Sequence, residues 1–285
     1  MAERLVARRG LVRVDVEGAH PAVDSVAGEE PMELRIDGTP VSVTMRTPGH
    51  DFELALGFCL TERILDDAAE VAAIGYCGEG RSAGEYNVVD VVRRSQAALD
   101  SRLRRNVYTT SSCGVCGTTS IDAVRRYAGD VGADPVTVEA GVLASLPGAL
   151  RQNQRLFDRT GGLHAAGVAS AEGEMLCVRE DVGRHNAVDK VIGWAAMQSA
   201  LPLTGRVLVV SGRVAFEIVQ KALVAGIPVV AAVSAPTSLA VDLAASAGVT
   251  LVGFVRGQTM NVYSRADRLE VHGRPGAPSV SGRAR

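Results

Sequence analysis

Along the first hundred residues, apolar and polar positions alternate in short runs. LVRVDVEG at 11–18 has a period of two and predicts a strand. ELRIDGTPVSVTM at 33–45 carries two such runs on either side of Asp37-Gly38, which predicts a hairpin turned by that pair. Pro48-Gly49 stops the second strand. The period then changes in DFELALGFCL at 51–60, where Phe52, Ala55, Leu56 and Cys59 fall on one face of a helix that starts near Asp51. On that face Cys59 reads as a core residue. Asn87–Val92 predicts another strand, so this part of the chain is expected to be β-rich with one or two helices.

The second half has a different rhythm. VLVV at 207–210, VVAAV at 229–233 and TLVGFV at 250–255 are short, apolar on both faces, and separated by helical stretches at about 214–225 and up to about 247. Gly226, Pro228 and Gly248 punctuate the helix ends. This β-α-β-α-β order predicts a buried parallel sheet. The expected organisation is a mixed α/β chain with no internal repeat or long linker. Its expected parts are a flexible N-terminus at 1–10, a β-rich subdomain at 11–105, an α/β core at 106–272 and a disordered tail at 273–285 (GRPGAPSVSGRAR).

Composition narrows the function class. A chain of 285 residues with 47% hydrophobic and 22% charged residues can bury a sizeable core without disulfides or metals. No apolar run reaches the ~18 residues of a membrane span, and MAERLVARRG lacks the apolar stretch of a secretory signal. The net charge of −2 and the scarcity of aromatic residues argue against nucleic-acid binding. Five cysteines, an odd number in a long chain, point to free thiols and a reducing cytoplasm. Lys190 and Lys221 are the only lysines; every other basic side chain is arginine. Arginine suits bidentate phosphate or carboxylate recognition, although an arginine-rich composition is the simpler explanation.

The sharpest local feature is Ser111-Ser112-Cys113-Gly114-Val115-Cys116-Gly117-Thr118-Thr119. Two thiols lie three residues apart among glycines, and Thr118, Thr119 or Ser120 can cap a helix running on through Val124. A helix N-terminus favours thiolate, and such settings bring cysteine pKa values to roughly 3.5–7.5. A structural zinc half-site needs two more soft ligands, and neither a second CxxC nor HxxxH is present. A thioredoxin-type pair belongs near the first strand of a smaller domain. A zinc deaminase needs H-x-E and a proline before the first cysteine; here Ser112 holds that place, and His164-Ala165-Ala166 lacks the glutamate. Redox exchange and sulfur carriage as a persulfide remain equal on the motif alone, beside two inert loop thiols.

The rest of the chain resembles the FdhD family of sulfur-carrier proteins needed for active formate dehydrogenases. The stretches that carry the resemblance are MRTPGHDFELALGFCLTE (45–62), SSCGVCG (111–117), TGGLHAAG (160–167), EDVGRHNAVDKVIG (180–193), SGRVAFEIVQKA (211–222), AVSAPTSLAVDLA (232–244) and GFVRGQTMNVY (253–263). Together they cover about residues 30–265. The resemblance implies a sulfurtransferase that takes sulfur from a cysteine desulfurase as a persulfide on Cys113, with Cys116 as partner. It implies transfer of that sulfur to the molybdenum cofactor in its bis(molybdopterin guanine dinucleotide) form, on the way to an apo-formate dehydrogenase. It also implies a cofactor contact at Phe254, Val255, Arg256, Gly257, Gln258 and Thr259, a cytidine-deaminase-like three-layer α/β core without its own metal, a cytoplasmic location and a homodimer. A cofactor-binding chaperone whose cysteines only shape a loop, and a thiol–disulfide oxidoreductase, are the alternatives.

A guanine dinucleotide needs anion sites. Ser211-Gly212-Arg213 and Ser234-Ala235-Pro236-Thr237-Ser238 each connect the carboxyl end of a strand to a helix, where open α/β sheets bind ligands. Arg213 adds a bidentate fork, and Arg256 can meet phosphate or a guanine edge. The bland alternative is that these are turns, caps and solvated arginines. No GxGxxG or GxxxxGK[ST] loop is present. Asp181-Val182-Gly183-Arg184-His185-Asn186 opens a helix through Trp194. His185 is expected to titrate near neutrality and steer a proton, while Asp181 or Asn186 caps the helix; His185 and His164 suit structural hydrogen bonding equally. Arg46, His50 and Asp51 form a polar cluster that either binds ligand or holds the N-terminal part. Cys77 and Cys177 have no partner by spacing.

Overall fold

The computed structural model describes residues 2–77, 86–95 and 130–271. A ten-residue strand, β1 (Val6–Asp15), follows a short helix, α1 (Ala2–Leu5), and pairs antiparallel with β2 (Gly18–Ala27). Of the residues expected to be a loose end, 2–5 form the short helix and 6–10 the start of this hairpin, and the strand expected at 11–18 is its outer half and turn. The partner segment GAHPAVDSVA has too little alternation to announce a strand.

The next unit is a four-stranded sheet in the order β4-β3-β6-β5, built from β3 (Glu30–Ile36), β4 (Thr39–Arg46), β5 (Val71–Tyr76) and β6 (Val88–Arg93). The β3–β4 hairpin turns on Asp37 (φ 50°) and Gly38 (φ 76°), two left-handed residues as a twisted two-residue turn requires. Met32, Leu34 and Ile36 of β3 and Val89 and Val91 of β6 all point to one face. Helix α2 (Asp51–Thr61) covers them with Leu54, Ala55, Leu56, Cys59 and Leu60. Cys59 is fully enclosed there, as its place on the helical face predicted.

The main body is a six-stranded sheet, β13-β12-β11-β10-β8-β9. It comprises β8 (His164–Ala169), β9 (Met175–Asp181), β10 (Val207–Val210), β11 (Val229–Ala232), β12 (Thr250–Arg256) and β13 (Thr259–Ser264). A minor pairing joins β7 (Val138–Glu139) to β14 (Leu269–Glu270). The three short apolar strands β10, β11 and β12 run parallel, as their pattern predicted. Their side chains alternate between two cores. Leu208, Val210, Val230, Ala232 and Leu251 meet α5 (Arg184–Met197), α6 (Phe216–Val224) and α7 (Ser238–Ser246). Val207, Val209, Val229, Ala231 and Val252 meet Leu143, Leu146 and Leu150 of α3 (Ala140–Gln152), which α4 (Arg155–Thr160) follows. Helices on both faces explain why these strands are apolar throughout.

Helices α2 and α5 join the two units backbone to backbone. A Cβ on Gly57 would lie 1.9 Å from the carbonyl oxygen of Asp189, and one on Gly193 1.8 Å from that of Glu53. Only glycine permits this approach. Among the described residues no helix is long and apolar enough to cross a membrane.

Candidate functional site

Because β10, β11 and β12 are parallel, the three loops singled out in the sequence leave the same edge of the sheet. Backbone hydrogen bonds tie them together. Val214 N donates to Ala235 O (3.1 Å), Thr237 N to Val214 O (2.9 Å) and Phe254 N to Ser234 O (3.1 Å). Val214 and Pro236 form an isolated parallel bridge, so the chain is still extended at 214, where a helix was expected to begin.

The side chains at this rim differ in their freedom. Arg213, Thr237, Ser238, Arg256, Gly257, Gln258 and Thr259 are exposed, and Ser234 is half-buried. Thr237 caps α7, its side chain accepting from Ala240 N at 3.4 Å. Gly257 and Gln258 form the tip between β12 and β13, where Thr259 Oγ1 donates to Arg256 O at 3.0 Å. Phe254 sits in a bulge with φ 52°, an unusual conformation for an aromatic residue, and its ring emerges 5.6 Å beneath the Arg256 guanidinium. Arg256 Nε donates to Val233 O at 3.4 Å. Val255 departs from expectation: its side chain is enclosed in the core beside α3 and offers no ligand surface. The bulge that turns Phe254 outward turns Val255 inward.

Behind the rim lies a cavity of about 710 Å³ between α3, α4 and the sheet edge, with Gln154, Phe157, Gly162, His164, Val182 and Ser211 among its walls. Ser211 Oγ accepts from Ala165 N at 2.9 Å, which leaves its proton free to donate. Gly212 is buried against His164; a Cβ there would meet His164 Nδ1 at 3.2 Å. Burial, and next the charge of Arg184, hold the His164 imidazole below its ordinary pKa against the opposing pull of Asp181. His185 is pushed down to about 3 by burial, then by Arg184, Lys221 and His164. Burial first, and the neighbouring cations second, thus favour the neutral imidazole, away from the expected titration near neutrality. The buried Arg184 Nε and His185 Nε2 have no hydrogen-bond partner among the described residues, and the nearest carboxylate to His185, Glu217, is 3.9 Å away. Cys113 and Cys116 lie outside the described residues.

The start of α5 is set by a buried network that the sequence did not disclose. Asp181, fully enclosed, accepts from Thr47 N (3.1 Å), Gly183 N (2.8 Å) and Asn186 Nδ2 (3.0 Å), and pairs with Lys190 Nζ at 2.6 Å. Gly183 occupies the N-cap without a side-chain cap, so Asp181 and Asn186 brace the turn rather than cap the helix. A second network joins Lys221 to Asp189 (2.9 Å), Glu62 (3.0 Å) and Thr61 (2.8 Å). Both lysines of the chain thus occupy buried ion pairs. The arginine bias of the other basic positions was the available signal that these two positions differ. Arg46 resolves as structural: it is wholly enclosed, pairs with Asp51 at 2.9 Å and donates to the carbonyls of Glu30, Pro31 and Tyr86. His50 stands apart, exposed beside Glu53 at 3.4 Å. Cys177 is buried and Cys77 exposed, both free.

Comparison with known proteins places this geometry. The profile described as the FdhD/NarQ family matches residues 27–270. A sulfur carrier protein FdhD of Streptomyces avermitilis is 54% identical over 271 residues, covering 93% of this chain and 96% of that protein. A sulfur carrier protein FdhD of Mycobacterium tuberculosis is 54% identical over 253 residues, covering 86% and 92%. Among solved structures, one from Desulfotalea psychrophila, assigned as a formate dehydrogenase accessory protein, is similar with a TM-score of 0.74 at 23% identity. That likeness covers 93% of this chain and 100% of the other, and it shows the fold.

Proposed function

Because the chain belongs to the FdhD/NarQ family, we propose that it is a sulfur carrier, a sulfurtransferase acting in the maturation of a formate dehydrogenase. The observation that carries this reading is the 54% identity, over 93% of the chain, with a protein named as a sulfur carrier. The paired thiols of Cys113 and Cys116 supply the chemistry. The Cys113 thiolate attacks the outer sulfur of a persulfide on a cysteine desulfurase. The donor's S–S bond breaks, its electron pair leaves on the donor cysteine, and a new S–S bond forms on Cys113, with no net oxidation. Cys116 is the partner thiol in the next step.

The acceptor is the molybdenum cofactor as bis(molybdopterin guanine dinucleotide), a cargo rather than a resident group. The sheet-edge rim suits such an anion. Arg213 and Arg256 offer exposed guanidinium groups, Ser211, Ser234, Thr237, Ser238 and Thr259 offer hydroxyls, Gln258 offers an exposed amide, Gly257 lets backbone approach closely, and the buried Gly212 packs the loop against His164. Phe254 presents a ring on which a base can stack, and Val255 anchors its strand from the core. The reading further assigns the protein to the cytoplasm, as a homodimer that meets a desulfurase and an apo-formate dehydrogenase.

Reconstitution of an apo-formate dehydrogenase tests it. Cys113→Ala abolishes activation while guanine-nucleotide binding persists. Full activation by Cys113→Ala would leave a cofactor-binding chaperone as the better account.

A further inference from the structure

We propose that the β1–β2 hairpin is a self-association surface, through which two copies of this chain pack the apolar faces of their hairpins together, tip to base, about a two-fold axis. The inference rests on the homodimer of the preceding reading, to which it gives a surface, and it needs none of the sulfur chemistry. The hairpin ends where the match to the family profile begins, at residue 27.

In an antiparallel pair, residues opposite each other share a face, and successive residues alternate between faces. The register sets Gly10 opposite Val23, Val12 opposite Pro21 and Val14 opposite Ala19. These residues make one face, and all are exposed, Val12 at 63%, Val14 at 73% and Val23 at 56%. The other face carries Arg9, Arg13, Asp15, His20 and Asp24. The hairpin is thus amphipathic, yet its outer apolar face enters none of the cores formed by the described residues. At the base the same face meets the body, where Val6 is buried and Ala27 lies beside Gly162. Further out it runs on into solvent. A lone two-stranded hairpin is marginal in water, and a contiguous exposed apolar patch marks a contact. Pro21 leaves no N–H on the open side of β2, so a partner is added on the face rather than along that edge.

Charge identifies the partner. The base of the hairpin carries Arg8 and Arg9, and the tip carries Asp15 and Glu17. Arg8 lies on the apolar face, and neither it nor Glu17 joins an ion pair among the described residues. Seven steps of about 3.4 Å part Arg8 from the tip, roughly 24 Å, too far for the two ends to pair within one chain. A two-fold axis near Val12 and Pro21 reverses the second hairpin, which brings each Arg8 beside the partner's Glu17. Valine then meets valine along the seam, and opposite charges close both ends. A surface with its signs in this order is complementary to itself. Two faces of about 24 Å by 10 Å bury on the order of 500 Å², the size of a weak, reversible contact rather than an obligate one.

Sedimentation velocity of the full-length protein from about 1 to 100 μM tests it. The wild type should pass from monomer to dimer across that range, and Val14→Glu should weaken the dimer about tenfold or more. Arg8→Glu and Glu17→Arg should each weaken it by a similar factor, and the double variant should restore it to within about threefold of the wild type. Because the two positions are too far apart to meet in one chain, rescue can act only between copies. A dimer unchanged by Val14→Glu, or charge reversals that do not rescue each other, overturns the surface and leaves the homodimer standing. A wild type that stays monomeric throughout overturns both. Hydrogen exchange of the wild type needs no variant: amides across 8–23 should be slower at the high concentration than at the low, and equal rates there also overturn the surface. Desulfurase-driven gain of sulfur, measured separately, tests the carrier reading whatever the hairpin does.

Discussion

Replacing Lys190 by methionine probes the network that fixes the α5 start beside the cavity. Its ammonium is 1% exposed, 2.6 Å from Asp181 Oδ2, and also donates to Thr47 O (2.9 Å) and Glu180 O (3.3 Å). At an effective dielectric constant of about 20, charges at that separation attract by about 6 kcal/mol, a sum that desolvation of both ions partly offsets. Methionine keeps the bulk but leaves the enclosed Asp181 carboxylate with three N–H donors and no cation. Breaking a buried pair in this way costs about 3–5 kcal/mol. Asp181→Asn in the same chain removes the orphaned charge, so the double variant recovers most of the loss. Urea denaturation at pH 7 reads both, as a shift in midpoint at constant slope. A Lys190→Met protein within about 1 kcal/mol of the wild type would refute the reasoning, as would single losses that simply add in the double variant.

Three further outcomes follow from the same structure. Gly193→Ala drives a Cβ into the Glu53 carbonyl at 1.8 Å and must part α2 from α5; it costs about 1–3 kcal/mol in the same assay, and a neutral result would mean the helices can slide. Glu53 is buried, which raises its pKa, but Arg179 and then His50 outweigh this and bring it down to about 2 from 4.5. Its folded pKa is thus depressed, so its stabilisation is complete above about pH 4.5 and is lost as pH falls toward 2, by at most about 3 kcal/mol. Urea midpoints of wild type and Glu53→Gln should converge across that window, and parallel curves would contradict it. Arg256→Ala should weaken GDP binding about tenfold without removing persulfide formation, read by calorimetry and mass spectrometry; unchanged affinity counts against its place at the rim.

The sequence disclosed the elements whose patterns are local. VLVV, VVAAV and TLVGFV could only be two-sided strands, and the Asp37-Gly38 turn fixed its hairpin. What it withheld depends on distant partners. β2 lacks alternation because it leans on β1 rather than on a core, so nothing local marks the hairpin that takes up residues 6–10. His185 carries no mark of the burial and the neighbouring cations that lower its pKa. The rim loops were legible because they follow strand ends, whereas Val255 was misplaced because a bulge reverses its side chain.

Intact-protein mass spectrometry after incubation with a cysteine desulfurase and cysteine tests the central claim most directly. The wild type is run beside Cys113→Ala and Cys116→Ala. The account predicts a reductant-sensitive gain of one sulfur atom that Cys113→Ala loses. No gain on any form, with a desulfurase shown to be competent, would contradict it.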